Sequence, residues 1–186
     1  MKTIRQTLLI SCMIVVLTAA AAQPDDAVIT SIRNAYSQAK EAIKSGKNQG
    51  NEMVTTLNYT VRGEGKTTET LHFFYKTVQG TYVMDDDGDP HFYYYPLYFI
   101  TRSYNIGKRK YYEEFLFDTD TEQLIFAFMQ GYDENGKKID RRFYFKDGSV
   151  YDTLGPAPTP YMEEQVMLQA DELKRAFNNI ARNPKE

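Results

Sequence analysis

YYEEFLFDTDTEQLIFAFMQGYDENGKKIDRRFYFKDG, residues 111–148, decides the fold. Residues 111–117, 124–132 and 139–145 are read with a period of two, that of a half-buried strand. Between them stand Asp118-Thr119-Asp120-Thr121, Asn135-Gly136 and Asp147-Gly148, residues that favour tight turns. The stretch therefore predicts consecutive antiparallel hairpins. A turn centred on 133–136 sets Leu124 opposite Phe145, Phe126 opposite Phe143 and Phe128 opposite Arg141. A turn centred on 118–121 sets Phe115 opposite Leu124 and Tyr111 opposite Phe128. This register puts Glu113 and Arg141 on the core side, among Phe115, Phe126, Phe128 and Phe143, as a pair across the middle strand. The opposite surface carries Lys110, Tyr112, Glu114, Asp140, Arg142 and Tyr144 around Ile125, Ala127 and Met129. It is expected to meet solvent. Its binding alternative rests on Tyr112, Glu114, Ile125, Ala127, Met129, Arg142 and Tyr144.

Upstream, the two-residue period extends back to Met53. Residues 53–61 and 67–78 flank Gly63-Glu64-Gly65, and an aromatic run spans 91–104. Pro96 marks an edge or a bulge in that run. With a short return near Val150, six or seven strands are expected. A helix is expected over 25–44, from the stripe Val28, Ile29, Ile32, Tyr36, Ala39 and Ile43. Asp25 and Asp26 suit its start, and Lys44 with Gly46 suits its stop. A second helix is expected over 161–181, from Val166, Met167, Ala170, Leu173, Phe177 and Ile180. The stiff LGPAPTP segment, 154–160, connects it to the sheet. The resulting class is α+β: a helix, an antiparallel meander forming a curved sheet, and a helix. Both helices are expected on one sheet face.

Residues 1–22 read as a signal peptide. Lys2 and Arg5 precede the apolar run 8–17, and Ala20-Ala21-Ala22 supplies an A-x-A cleavage pattern. The run is too short to span a bilayer. Cys12 sits in only a loose lipobox. Residues 23–186 then form one exported domain, periplasmic or extracellular, with no transmembrane span. Cleavage removes the only cysteine, and with it disulfide, thiolate and Cys-ligated metal chemistry.

Of the 186 residues, 42% are apolar and 25% charged, with 15 Tyr, 11 Phe, no Trp and a net charge of −3. That balance is globular and too acidic for a nucleic-acid partner. The two histidines, His72 and His91, show no paired ligand spacing and read as ordinary strand residues. No nucleophile elbow or phosphate-binding glycine loop is present, so no catalytic residue is assigned. Asp85, Asp87 and Asp89 of the DDDGD loop offer oxygens of the kind Ca2+ prefers, against the reading of a solvated acidic turn. Alternate loops of a meander share an end. Asp118, Asp120, Glu122, Asp147 and residues 85–89 should therefore gather at one end. Arg62, Lys66, Lys108, Arg109, Lys110, Lys137 and Lys138 should gather at the other.

The parts EEFLFD, LIFAF and RRFYFKDG of the opening stretch resemble a hairpin pair of uncharacterised small exported bacterial proteins. The resemblance covers about a fifth of the chain. It implies export and carries over no activity. The leading expectation is a non-catalytic binding or interaction module for a protein or cell-envelope partner. The second is a carrier of an apolar small molecule between sheet and helices. An enzyme is third.

Overall fold

The structure, a computed structural model, describes residues 26–46, 51–84 and 90–181, leaving out the side chains of 79–84 and 90–94. The export segment and residues 85–89 lie outside the described residues. The chain runs α1 (Ala27–Ser45), β1 (Glu52–Val61), β2 (Gly65–Tyr75), β3 (Val78–Met84), β4 (Pro90–Tyr94), β5 (Leu97–Ile106), β6 (Arg109–Phe117), β7 (Leu124–Tyr132), β8 (Lys138–Lys146), β9 (Ser149–Leu154) and α2 (Pro160–Ala181). Seven strands form one curved open sheet in the order β1-β2-β5-β6-β7-β8-β9, every pair antiparallel. The expected α+β class, with its helix at each end of the chain, is what the molecule adopts. The aromatic run does not form a single strand. It breaks at Tyr95-Pro96, where the Pro96 carbonyl accepts from Lys76 N–H. β3 and β4 form a separate ribbon inserted between β2 and β5.

The helices do not share a face. Phe73, Ile100, Phe115, Ala127, Phe143 and Phe145 pack with Val166, Ala170 and Phe177 of α2. Their chain neighbours Phe74, Phe99, Leu116, Phe126 and Tyr144 pack with Ile32 and Ala39 of α1. Consecutive strand residues point to opposite faces, so α1 and α2 lie on opposite sides of the sheet. The physical reason is in the strands: YFI, FLF, IFAF and FYF are apolar at successive positions. Runs of that kind are buried on both faces.

The register also differs from the expected one. The β7–β8 loop has five residues, 133–137, closed by Asp133 N–H on the Lys137 carbonyl with Gly136 at φ 77°. Phe126 therefore pairs with Tyr144, Ala127 with Phe143 and Met129 with Arg141. The β6–β7 loop is longer as well, with Asp118 N–H on the Gln123 carbonyl. A bulge follows, so that Phe115 faces Ala127 and Leu116 faces Phe126. A one-residue slip moves every side chain of a strand to the other face. Here it sends Phe126 and Phe128 to the α1 side, away from Phe115.

Both helices cross the strands starting from the β9 side. Asp26 caps α1 by accepting from Val28 N–H at 2.8 Å, and its carboxylate also takes the Tyr151 hydroxyl of β9. Further along, Arg33 reaches Tyr144, Tyr36 packs on Phe126, and Lys40 lies over Phe99. Before α2, Gly155 adopts φ 113°, and a β-carbon there would stand 2.4 Å from the Asp140 carbonyl. Only glycine permits that approach. At the far end of α2, Phe177 packs on Phe73 and Tyr75 of β2.

Candidate functional site: two buried glutamates and an open cleft

The seven residues read as a binding surface divide between the faces. Tyr112, Glu114, Ile125, Arg142 and Tyr144 lie on the α1 side, whereas Ala127 and Met129 pack on the α2 side. They form no open patch: Ala127 is 0% exposed, and Glu114 and Tyr144 are each 2% exposed. α1 covers the row. Tyr36 Oη donates to Glu114 Oε2 at 2.5 Å, while Lys40 Nζ and Tyr112 Oη donate to Oε1 at 2.5 and 2.6 Å. Burial, and then the Glu114 carboxylate, push both tyrosine hydroxyls well above the usual tyrosine range, so they stay protonated and donate. Beside them the Arg142 guanidinium lies over the Phe128 ring.

A second network occupies the α2 side. Glu113, 4% exposed, accepts from Arg102 Nη1 at 3.2 Å, Tyr104 Oη at 3.0 Å and Gln169 Nε2 of α2 at 2.6 Å. Arg102 Nε also donates to Glu69 at 2.7 Å, and Tyr59 Oη donates to the same carboxylate. One guanidinium thus serves two buried acids. Burial pushes the Glu113 carboxyl up; Arg102, Gln169 and Tyr104 pull it part of the way back. Arg141 lies two strands away on the same face, as expected, and the observed register sets it in one row with Glu113 through Met129 in place of the expected Phe128. It is not the partner of Glu113: its Nε donates to the Pro156 carbonyl and tethers the connector before α2. Both glutamates are filled by donors and line neither cleft described next. Their chemistry is to hold strand rotation and helix position, because a slip of β6 would strand a charge in an apolar layer.

Space for a ligand opens where the helices part from one end of the sheet. On the α1 side a cleft of about 490 Å³ lies between Ala35, Ala39 and Ala42 and a floor of Tyr98, Leu116 and Ile125. Lys76, Asp118 and Thr119 stand on its rim, with Lys76 Nζ 3.4 Å from Thr119 Oγ1. The cleft has a local cause. The three alanines form one stripe of α1, and the long side chains of Arg33, Tyr36 and Lys40 lie on another. On the α2 side a smaller cleft of about 270 Å³ lies among Phe117, Leu124, Phe145, Met167 and Ala170. Lys174 closes its rim by an ion pair with Glu122 at 2.9 Å. The alanine spacing is visible in the sequence, where the apolar stripe of the first helix includes Ala39 and not Ala35 or Ala42.

The turns after β6 and β8 share this end, carrying Asp118, Asp120, Glu122 and Asp147. The opposite end holds Arg62, Lys66, Lys108, Arg109, Lys110, Lys137 and Lys138. Asp118 Oδ1 accepts from Thr121 N–H, Thr121 Oγ1 and Asp120 N–H, which hold its carboxyl below the usual range. Asp85, Asp87 and Asp89 lie outside the described residues, as does the side chain of His91. His72 Nδ1 lies 2.6 Å from Glu52 Oε1. Among the described residues, no three acidic, His or Cys side chains are grouped to hold a metal ion, and no helix is long and apolar enough to cross a membrane. The chain matches no known family model, and neither the curated proteins nor the solved structures give a match.

Proposed function

We propose that the chain is an exported, non-catalytic binding module, and that the cleft under α1 is where it takes hold of its partner. The observation that supports this reading is the cleft itself. Its volume of about 490 Å³ and its alanine, leucine, isoleucine and tyrosine walls with a few rim polar groups are the usual make-up of a ligand seat. It opens to solvent at the sheet end, so a protein or cell-envelope partner can insert an apolar side-chain cluster while the rest of it stays outside. Lys76 and Asp118 at the rim offer that partner one charge of each sign.

A second reading, a carrier of an apolar small molecule, draws on the same volume. Native mass spectrometry of protein purified from its own source separates the two. A retained non-polypeptide mass that disappears in Ala42→Phe favours the carrier. No retained mass, with a photo-crosslink from position 38 to one protein that Ala42→Phe abolishes, favours the module. The phenyl ring fills the cleft beside a half-buried position, so the fold should persist and the melting temperature should move by no more than about 5 °C. Loss of neither a ligand nor a crosslink in the filled variant removes the cleft as the seat.

A further inference from the structure

We propose that β1 is a dimerisation strand. It pairs antiparallel with β1 of a second copy of this chain, in the register that sets Leu57 against Leu57 across a two-fold axis. The proposal does not rest on the cleft.

The sheet has two edges, and they are built differently. β9 is six residues long, carries Asp152, has a bulge in its pairing with β8, and runs into Gly155-Pro156. Those are the usual protections of a strand edge. β1 has no bulge, no proline and no charge beyond its first residue, Glu52. It is ten residues of EMVTTLNYTV, with no proline and no lysine, and its pairing with β2 is free of bulges. Residues 53–61 carry no charge. Val54, Leu57 and Tyr59 are 52, 44 and 42% exposed. Among the described residues, no strand pairs with its outer side.

The hydrogen-bonding pattern then selects a partner geometry. Tyr75 N–H donates to the Asn51 carbonyl, so the odd-numbered residues of β1 turn their backbone groups toward β2. The even-numbered residues, 52 through 60, turn theirs outward. An antiparallel copy must therefore pair even residue with even residue. Centring the pair on Leu57 meets that condition, setting Val54 against Thr60 and Thr56 against Asn58 of the second copy. About eight inter-strand hydrogen bonds follow from these pairs and their symmetry mates.

Charge fixes the register among the permitted ones. Glu52 and Arg62 are the charged residues that flank the uncharged run, and they are equidistant from Leu57. In this register each Glu52 faces Arg62 of the other copy, on the α1 side. Arg62 makes no ion pair among the described residues, and Glu52 uses only Oε1, toward His72. On the α2 side Met53 meets Val61 and Leu57 meets Leu57, which covers exposed apolar surface. An isologous contact of this kind closes as a dimer and does not propagate.

Sedimentation of the purified protein between about 1 and about 500 µM reads the association directly. A reversible dimer is expected. Thr56→Pro removes an outward N–H and none of the β1–β2 ladder, so it should weaken the dimer at least about tenfold while the far-UV spectrum is kept. The register is tested separately. Glu52→Arg and Arg62→Glu should each weaken the dimer, and the double reversal should restore it, a readout that holds even where the proline variant fails to fold. A wild-type monomer at the highest concentration, a dimer indifferent to Thr56→Pro in a folded variant, or a double reversal no tighter than the single ones would overturn the proposal.

Discussion

Glu113 and Glu114 follow one another in β6, are buried almost equally, and belong to differently built halves of the molecule. On the α1 side the helix reaches into the sheet with polar side chains: Tyr36 and Lys40 both end on Glu114. On the α2 side the buried charges meet within the sheet, at Arg102 between Glu69 and Glu113, and to that network the helix adds the neutral Gln169, its Lys174 pairing with Glu122 at the sheet end. What secures α2 is apolar: Val166, Ala170 and Phe177 are buried in the larger cluster. The contrast teaches that two amphipathic helices of similar stripe can be attached by different physics. One depends on an ionised acceptor, the other on the removal of apolar area from water.

Breaking the apolar attachment should have the largest effect. Phe177 is 0% exposed, with ring centroids 5.7 Å from Phe73 and 5.2 Å from Tyr75. Phe177→Ala should cost about 3–5 kcal/mol in urea unfolding, from lost transfer energy and the cavity left behind. A loss below about 1 kcal/mol would mean that α2 is held by something other than its stripe. The polar attachment should yield less. Glu114→Gln deprives two tyrosines and a lysine of a charged acceptor and should cost about 2–3 kcal/mol. Lys40→Met should cost only about 0–1 kcal/mol, because the lysine side chain is 41% exposed and its charge is screened. Equal losses for these two variants would shift the hold on α1 from the tyrosines to the ion pair.

The same contrast explains which parts of the fold were legible in the sequence. Helix stripes and strand periods belong to single segments, so α1, α2 and the hairpin strands could be placed to within a few residues. The faces could not, because they depend on loop length. One extra residue in the 133–137 turn and a bulge after Leu124 decide whether Phe126 looks toward α1 or α2. An alternating strand such as MVTTLNYTV leaves one face to solvent, but LIFAFM is apolar on both, and periodicity alone does not say which side a helix takes. Glu113 and Arg141 kept a common face because both flanking registers shifted by an odd number of residues, and Met129 moved to that face between them. The choice of Arg102 over Arg141 as partner was not legible, since it rests on β5, whose start is set by Pro96. The cleft under α1 is a deficit of volume, and it showed in the sequence only as alanines at three and four residue steps.

The smallest effect sharpens the comparison by its sign. Burial raises the Glu113 carboxyl above its ordinary 4.5, against the pull of Arg102, Gln169 and Tyr104. The folded protein therefore holds this proton more tightly than the unfolded chain does. Its contribution to stability is full below the ordinary value and is lost as pH rises through the raised one. Glutamine stands in for the protonated acid, so Glu113→Gln should cost more near about pH 4 than near pH 7. Asp118, held low by Thr121 and Asp120, has the opposite sign: the deficit of Asp118→Asn should be nearly constant above about pH 4 and shrink as pH falls below it. Urea unfolding reads the difference, for Glu113→Gln at about pH 4 and pH 7 and for Asp118→Asn at about pH 3 and pH 7. A Glu113→Gln deficit that grows toward neutral pH would reverse the sign, and would mean that Arg102 and Gln169 outweigh burial on the α2 side just as Tyr36 and Lys40 govern the α1 side.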